Sequence, residues 1–249
     1  MVIKLECMRE GLTIRGKIYT PDTLTPRPAV ILCHGFLANQ KMCAGYAKFL
    51  EKLGFAAVTF DFCGGGLACS SDGKSRDMTV FTEEKDLLRV IEHVKTLAYI
   101  KAEDISLLGC SQGGYVSALT AADEPGLINR LILLYPALCI PFDARKGKMM
   151  FYHFDPSCIH DTLGLLPMEL GGEYARSVID KDPFEQISGF SKPTLIIHGT
   201  NDNIVDAEYS KKAFKCYPKG ELKLIEGAGH VFHGKDDAKA RQFIKEFLQ

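Results

Sequence analysis

One stretch constrains this chain more than any other: Asp104 to Ala121, DISLLGCSQGGYVSALTA. It predicts a short apolar strand (Ile105–Leu108), a tight turn, and a helix over Gln112–Ala122. The turn Gly109-Cys110-Ser111-Gln112-Gly113 has the G-x-S-x-G spacing of a nucleophile elbow. That geometry places Ser111 at the apex with strained backbone angles and its hydroxyl above the sheet. Glycines on either side allow strand and helix to approach closely. The Gln112 N–H opens a helix, where backbone donors and the dipole favour negative charge. The bland alternative is a serine in a glycine-rich βα turn. The flanking strand and helix favour the elbow.

The rest of the chain predicts a sheet around this strand. Val2–Met8 and Leu12–Thr20 read as an antiparallel edge pair joined at Glu10-Gly11. Ala29–Cys33 (AVILC) and Phe55–Phe60 (FAAVTF) are apolar throughout, as strands buried on both faces of a parallel sheet are. Lys41–Leu53 reads as an amphipathic helix closed by Gly54. Val80–Ala98 reads as a long helix with Leu87, Ile91, Val94 and Ala98 on one stripe. Arg130–Tyr135 is the next strand. Residues 136–191 break the alternation and read as a small cap inserted over the carboxyl end of the sheet, with helix-like pieces at His160–Leu163 and Glu173–Asp180. The rhythm resumes with strand Thr194–His198, helix Ala207–Cys216, strand Leu222–Ile225 and helix Asp237–Phe247. The expected class is α/β, a doubly wound, mostly parallel sheet in one domain over residues 1–249.

Composition excludes several functions. The net charge is −1 with basic residues dispersed, which argues against a nucleic-acid face or a polybasic membrane patch. The N-terminal stretch is broken by Lys4, Glu6, Arg9 and Glu10, so no signal peptide is expected. The longest apolar run, Leu131–Phe142, carries Pro136 and Pro141 and is too short to span a membrane. The nine cysteines are odd in number, form no C-x-x-C pair, and several lie in apolar strands. These features point to a reducing, cytoplasmic setting. His153, Cys158 and His160 match no usual zinc spacing, so no metal or other cofactor is expected. The loop Cys63–Asp77 carries Gly64-Gly65-Gly66 and Gly73-Lys74-Ser75. A P-loop would need glycine where Ala68 stands, and a dinucleotide fingerprint would need it where Cys69 stands, so a long surface loop is the expected reading. A homodimer is the only assembly entertained.

A serine hydroxyl needs a base to take its proton and an acid to orient that base. Elbow chemistry supplies them in the order serine, acid, histidine. Asp202 follows the buried strand Thr194–His198, where ligand-facing residues gather. Asp206 is its competitor. His230 lies in the glycine-flanked loop after Leu222–Ile225, with His233 as the alternative. A tetrahedral oxyanion would need two backbone donors, expected from Gln112 and from Phe36 in the loop after Ala29–Cys33. His34 is expected to be structural.

The ordered set HGF, DFCGG, GCSQGG, HGTND and GAGH resembles the α/β-hydrolase fold family over almost the whole chain. Within that family it is most similar to bacterial cinnamoyl or feruloyl esterases, through HGF at 34–36, GCSQGG at 109–114, LGGEYAR at 170–176 and LIIHGTNDNIV at 195–205. The resemblance implies a serine carboxylesterase acting on a small-molecule hydroxycinnamoyl ester through an acyl-enzyme. It also implies cap residues that contact the phenolic hydroxyl, by position Asp143 and Tyr174. The cap between them, Ala144–Leu163, departs from that pattern with Met150, His153 and Phe154. The alternatives are hydrolysis of another acyl bond (monoglyceride, thioester or small peptide), acyl transfer to an added acceptor, and a non-catalytic relative that keeps the site for recognition. A panel of esters, amides and thioesters, product analysis and fluorophosphonate labelling of Ser111 would separate them.

Overall fold

The computed structural model describes residues 1–249. Its apolar runs become the strands of one eight-stranded sheet. The strands are β1 (Val2–Arg9), β2 (Leu12–Tyr19), β3 (Arg27–Cys33), β4 (Ala56–Phe60), β5 (Ile100–Cys110), β6 (Arg130–Leu134), then, after two small hairpins described below, β11 (Thr194–Gly199) and β12 (Gly220–Ile225). Their order across the sheet is β1-β2-β4-β3-β5-β6-β11-β12. From β4 to β12 every pairing is parallel, whereas β1 and β2 form an antiparallel edge. The β1–β2 turn uses Glu10 and Gly11 at φ 48° and 85°, the doubly left-handed backbone of a two-residue hairpin.

Helices cover both faces, as a sheet with apolar sides requires. On one face α1 (Ala44–Lys52) and α8 (Gly234–Leu248) bury Tyr46, Leu50, Ile244 and Leu248 against Val30, Leu32 and Leu195. On the other, α2 (Val80–Lys95) and α3 (Gln112–Asp123) pack on Ile31, Leu107 and Leu133. α3 is buried along nearly its whole length because α2 and the cap close over it. β4 and β5 flank β3 on opposite sides, so the chain reverses its winding there. The loops after β3 and β5 meet at that switch point, where open α/β sheets bind ligands.

Between β6 and β11 the chain forms α4 (Ile140–Arg145), the hairpin β7/β8 (Lys148–Met149 and Tyr152–His153), the hairpin β9/β10 (Thr162–Gly164 and Leu170–Gly171), α5 (Glu173–Arg176) and α6 (Pro183–Ile187). Two expectations are corrected here. Thr162 and Leu163, expected in a helix-like piece, are instead in a strand, because Thr162–Gly164 finds a partner in Leu170–Gly171. The helix expected over Glu173–Asp180 is α-helical only to Arg176 and then continues as turns. The helix from Lys41 opens as a 3-10 turn at Gln40–Cys43, capped by the Asn39 side chain, and the elbow strand begins at Ile100 rather than Ile105.

One buried group is expected to cost stability. Glu84 on α2 is buried with its Oε1 unpartnered. Burial, and then the carboxyl of Asp123 on α3, raise its proton affinity. The folded state therefore keeps Glu84 protonated where the unfolded chain ionises it, so its cost grows as pH climbs above the ordinary glutamate range. Glu84→Gln is expected to raise Tm by about 3 °C at pH 8 and by less at pH 5. Thermal melts at the two pH values check it.

Candidate active site

The elbow is built as its spacing requires. Ser111, between β5 and α3, has φ 53° and ψ −119°, a strained conformation for a residue with a Cβ. The surrounding backbone enforces it. The Ser111 N–H donates to the Leu134 carbonyl at 3.0 Å, and the Ser111 carbonyl accepts from Gly114, Tyr115 and Ala137 at 2.9, 3.2 and 2.9 Å. A Cβ at Gly113 would lie 2.4 Å from the His34 oxygen and 2.5 Å from the Cys33 oxygen; one at Gly109 would lie 2.2 Å from the Gly113 oxygen. Both positions exclude larger residues on contact alone.

Three side chains distant in sequence meet at this apex. Ser111 Oγ lies 3.0 Å from His230 Nε2, and His230 Nδ1 lies 2.8 Å from Asp202 Oδ2. An ionised carboxylate can only accept, so Nδ1 carries the proton. The Nε2 lone pair then faces the Ser111 hydroxyl, which donates to it. The Asp202 side chain is fully buried, and that of His230 is 13 % exposed. Burial alone would raise the Asp202 carboxyl. Hydrogen bonds from His198, His230 and the Val205 and Ile204 N–H groups outweigh it and hold the carboxyl well below the ordinary range. The ring of Tyr135, a residue at φ 40°, packs 4.7 Å from the imidazole of His230. Such a chain can draw a proton from a hydroxyl and hold the resulting imidazolium in place.

The competitors lie elsewhere. Asp206 is exposed and caps α7 (Ala207–Phe214), accepting from the Glu208 N–H at 2.9 Å. His233 is exposed at the start of α8. His34 is structural: Nδ1–H donates to the Gly35 carbonyl at 2.9 Å, and Nε2 accepts from the Phe62 N–H at 3.2 Å. His153, Cys158 and His160 are exposed and do not converge. His34, Asp61 and Cys69 do converge, but their donor atoms are already engaged. Asp61 accepts from the Gln40 and Ser70 backbone and side chains at 2.6–3.0 Å, and Cys69 Sγ faces the Ala38 carbonyl.

The Phe36 and Gln112 N–H groups make no hydrogen bond within the protein. Gly35 abuts Ser111 so closely that a Cβ there would lie 3.1 Å from Ser111 Cβ. The glycine-rich loop, expected as surface, is buried from Phe62 to Gly65 and braces this segment. Leu37, at φ 61°, bridges to Gly66, and Leu67 N–H donates to the Leu37 carbonyl at 3.3 Å. A Cβ at Gly66 would stand 1.7 Å from the Ala38 oxygen. The triple glycine is thus a packing device.

Sequence reasoning missed two further residues around the site. Glu83 on α2 is fully buried, and its Oε2 accepts from Gln112 Nε2 at 2.8 Å. Desolvation raises its carboxyl well above the ordinary range. The signal was available: Glu83 lies one helical repeat before Leu87 on the apolar stripe. His198, fully buried at the end of β11, touches Asp202. A histidine closing an apolar strand four residues before the acid was its signal.

Beside Ser111 opens a cleft with about 450 Å³ of empty space, its open mouth included. Its walls are apolar (Phe36, Ile140, Met149, Met150, Ile204 and Val205) and its polar groups include Asp143 and Tyr174. Burial raises the half-buried Asp143 carboxyl against the opposing pull of Cys139, Lys146 and Lys148. The Tyr174 hydroxyl is buried and donates to Gln112 Oε1, which leaves its oxygen lone pairs as acceptors.

Comparison with known proteins agrees with this geometry. Residues 25–161 match the family model Hydrolase_4, described as serine aminopeptidase, S33. A solved structure of Est1E from Butyrivibrio proteoclasticus with ferulic acid bound superposes with a TM-score of 0.89 at 30% identity, covering 98% of this chain and 97% of that one. A monoglyceride lipase homolog of monkeypox virus is 26% identical across 92% of this chain and 91% of its own. The monoglyceride lipase of Saccharomyces cerevisiae is 28% identical across 82% and 77%. The matched family segment, the eight-stranded sheet and the Est1E superposition lead to one conclusion: the chain belongs to the α/β-hydrolase family.

Proposed function

We propose that this protein is a serine carboxylesterase that cleaves hydroxycinnamoyl esters through an acyl-enzyme. The observation that carries the reading is the hydrogen-bonded chain Ser111–His230–Asp202 opening onto an apolar cleft with a half-buried carboxyl and a phenol in its wall. Ser111 Oγ attacks the ester carbonyl while His230 Nε2 takes its proton, and Asp202 holds Nδ1–H and stabilises the imidazolium. The N–H groups of Phe36 and Gln112 receive the tetrahedral oxygen. His230 then protonates the departing alcohol, and water repeats the sequence on the acyl-enzyme. The apolar walls suit a planar aromatic acyl group. Its phenolic hydroxyl would donate to the Asp143 carboxylate, with the Tyr174 oxygen as a second acceptor. Similarity to Est1E supports this substrate class. The nine free cysteines suit a reducing compartment, and no helix is long and apolar enough to cross a membrane.

A second reading, monoglyceride hydrolysis, draws on the lipase relatives and on exposed apolar residues of the cap hairpins, Phe151, Leu165 and Leu166. The test is a panel of methyl ferulate, methyl caffeate, monoacylglycerols and short p-nitrophenyl esters. The proposal expects the highest kcat/KM on the hydroxycinnamates. A preference for monoacylglycerols would replace it with the second reading.

The cap assignment has its own expected outcome. Asp143→Ala should lower kcat/KM for methyl ferulate at least about tenfold more than for p-nitrophenyl acetate, the loss of one hydrogen bond to a charged group. Equal losses on both esters would remove Asp143 from the acyl site. Tyr174→Phe is the poorer test, because it also releases Gln112 and should impair every ester.

A further inference from the structure

The Asp202 carboxylate is held by two imidazoles. Its Oδ2 accepts from His230 Nδ1 at 2.8 Å and from His198 Nε2 at 3.1 Å. Its Oδ1 accepts the N–H groups of Ile204 and Val205, both at 2.9 Å. His198 and Ser210 are fully buried. His198 Nε2 faces two acceptors, Asp202 Oδ2 and the Val205 carbonyl at 2.9 Å, so the ring proton sits on Nε2. Nδ1 lies 2.6 Å from the Ser210 hydroxyl, a hydrogen-bond contact on the far side of the ring.

We propose that His198, oriented by Ser210, is a positioning residue for the reaction, fixing the Asp202 carboxylate where His230 must meet it. The two loop N–H groups anchor only Oδ1. Without His198, the one remaining side-chain partner of Oδ2 would be His230 itself, carried on a glycine-flanked loop that must accommodate a proton moving between Ser111 and the leaving group. His198 keeps the carboxylate plane in register through that exchange. The contrast with His34 shows that this is not the ordinary fate of a buried histidine. His34 satisfies both nitrogens on backbone groups, whereas His198 turns its Nε2–H to the acid.

This inference rests on the serine-hydrolase reading. Fluorophosphonate labelling of the unmodified protein tests that reading by itself, since absence of labelling would defeat it before any variant is compared. Rates are then taken per labelled site on p-nitrophenyl acetate. His198→Ala is expected to lower kcat about tenfold, with KM within about twofold because the substrate cleft is untouched. His198→Gln, whose amide can still donate, should recover most of the loss. Ser210→Ala should lose about threefold, because the ring loses the Nδ1 contact that holds its plane toward Asp202. A kcat within about twofold of the parent in His198→Ala, or His198→Gln no better than His198→Ala, would overturn the proposal. If His198→Ala fails to fold, the other two variants decide: near-parent kcat in His198→Gln together with a loss in Ser210→Ala supports it, and any other combination overturns it.

Discussion

Ser111→Ala is expected to reduce kcat by about a millionfold, to a residual rate supplied by binding and backbone donors alone. The size follows from the geometry. Alanine removes the one nucleophile at the apex, and His230 Nε2, 3.0 Å away, then has nothing to deprotonate except water, which is held less well. The backbone should tolerate the change. The φ of 53° at this position is enforced by backbone hydrogen bonds with four residues, and alanine has the same Cβ. Burst and steady-state kinetics on a p-nitrophenyl ester, with thermal melting to show that the fold is retained, check both halves. A loss below about a hundredfold would mean that another group carries the covalent step.

Asp202→Asn is the second large effect, a fall in kcat of about 10⁴. An amide at this position can turn an NH₂ toward His230, which makes the imidazole accept at Nδ1 and carry its proton on Nε2. That tautomer points a hydrogen, instead of a lone pair, at the Ser111 hydroxyl. Asp206→Asn serves as the control. Its side chain is an exposed helix cap, so it should cost stability of about 1 kcal/mol or less and little rate. A greater rate loss in Asp206→Asn than in Asp202→Asn would reverse the assignment of the acid.

Much of this site was legible in the sequence, for a reason peculiar to parallel sheets. Buried strands such as Ala29–Cys33 and Thr194–His198 show as unbroken apolar runs, and the residues after them fall at one end of the sheet. Ser111, Asp202 and Phe36 follow such runs, and His230 follows the edge strand Gly220–Ile225 in a glycine-flanked loop at the same end of the sheet, so their convergence could be expected from local signals. The unread parts depend on partners distant in the chain. The role of Gly66 is set by Ala38, and that of Glu83 by Gln112; neither appears in a local window. Glu83 was also concealed by the stripe it extends, because helical periodicity counts apolar residues and passes over a buried acid. In the cap, strands of two or three residues carry no period to detect, so Thr162 and Leu163 read as part of a helix, whereas Thr162–Gly164 pairs with Leu170–Gly171 as a strand.

The bond from Tyr174 to Gln112 has a consequence for engineering. Ser111, His230, Asp202 and Phe36 all lie outside residues 136–191, which suggests that a foreign lid could be transplanted between β6 and β11 to change substrate preference at will. Among the bonds that cross that boundary, the one from Tyr174 reaches the residue next to the serine. A transplanted segment without a donor above Gln112 would leave its amide oxygen bare in a dry interior, so grafts in this scaffold should be chosen first for a hydroxyl at that point and only then for the shape of the cavity they enclose.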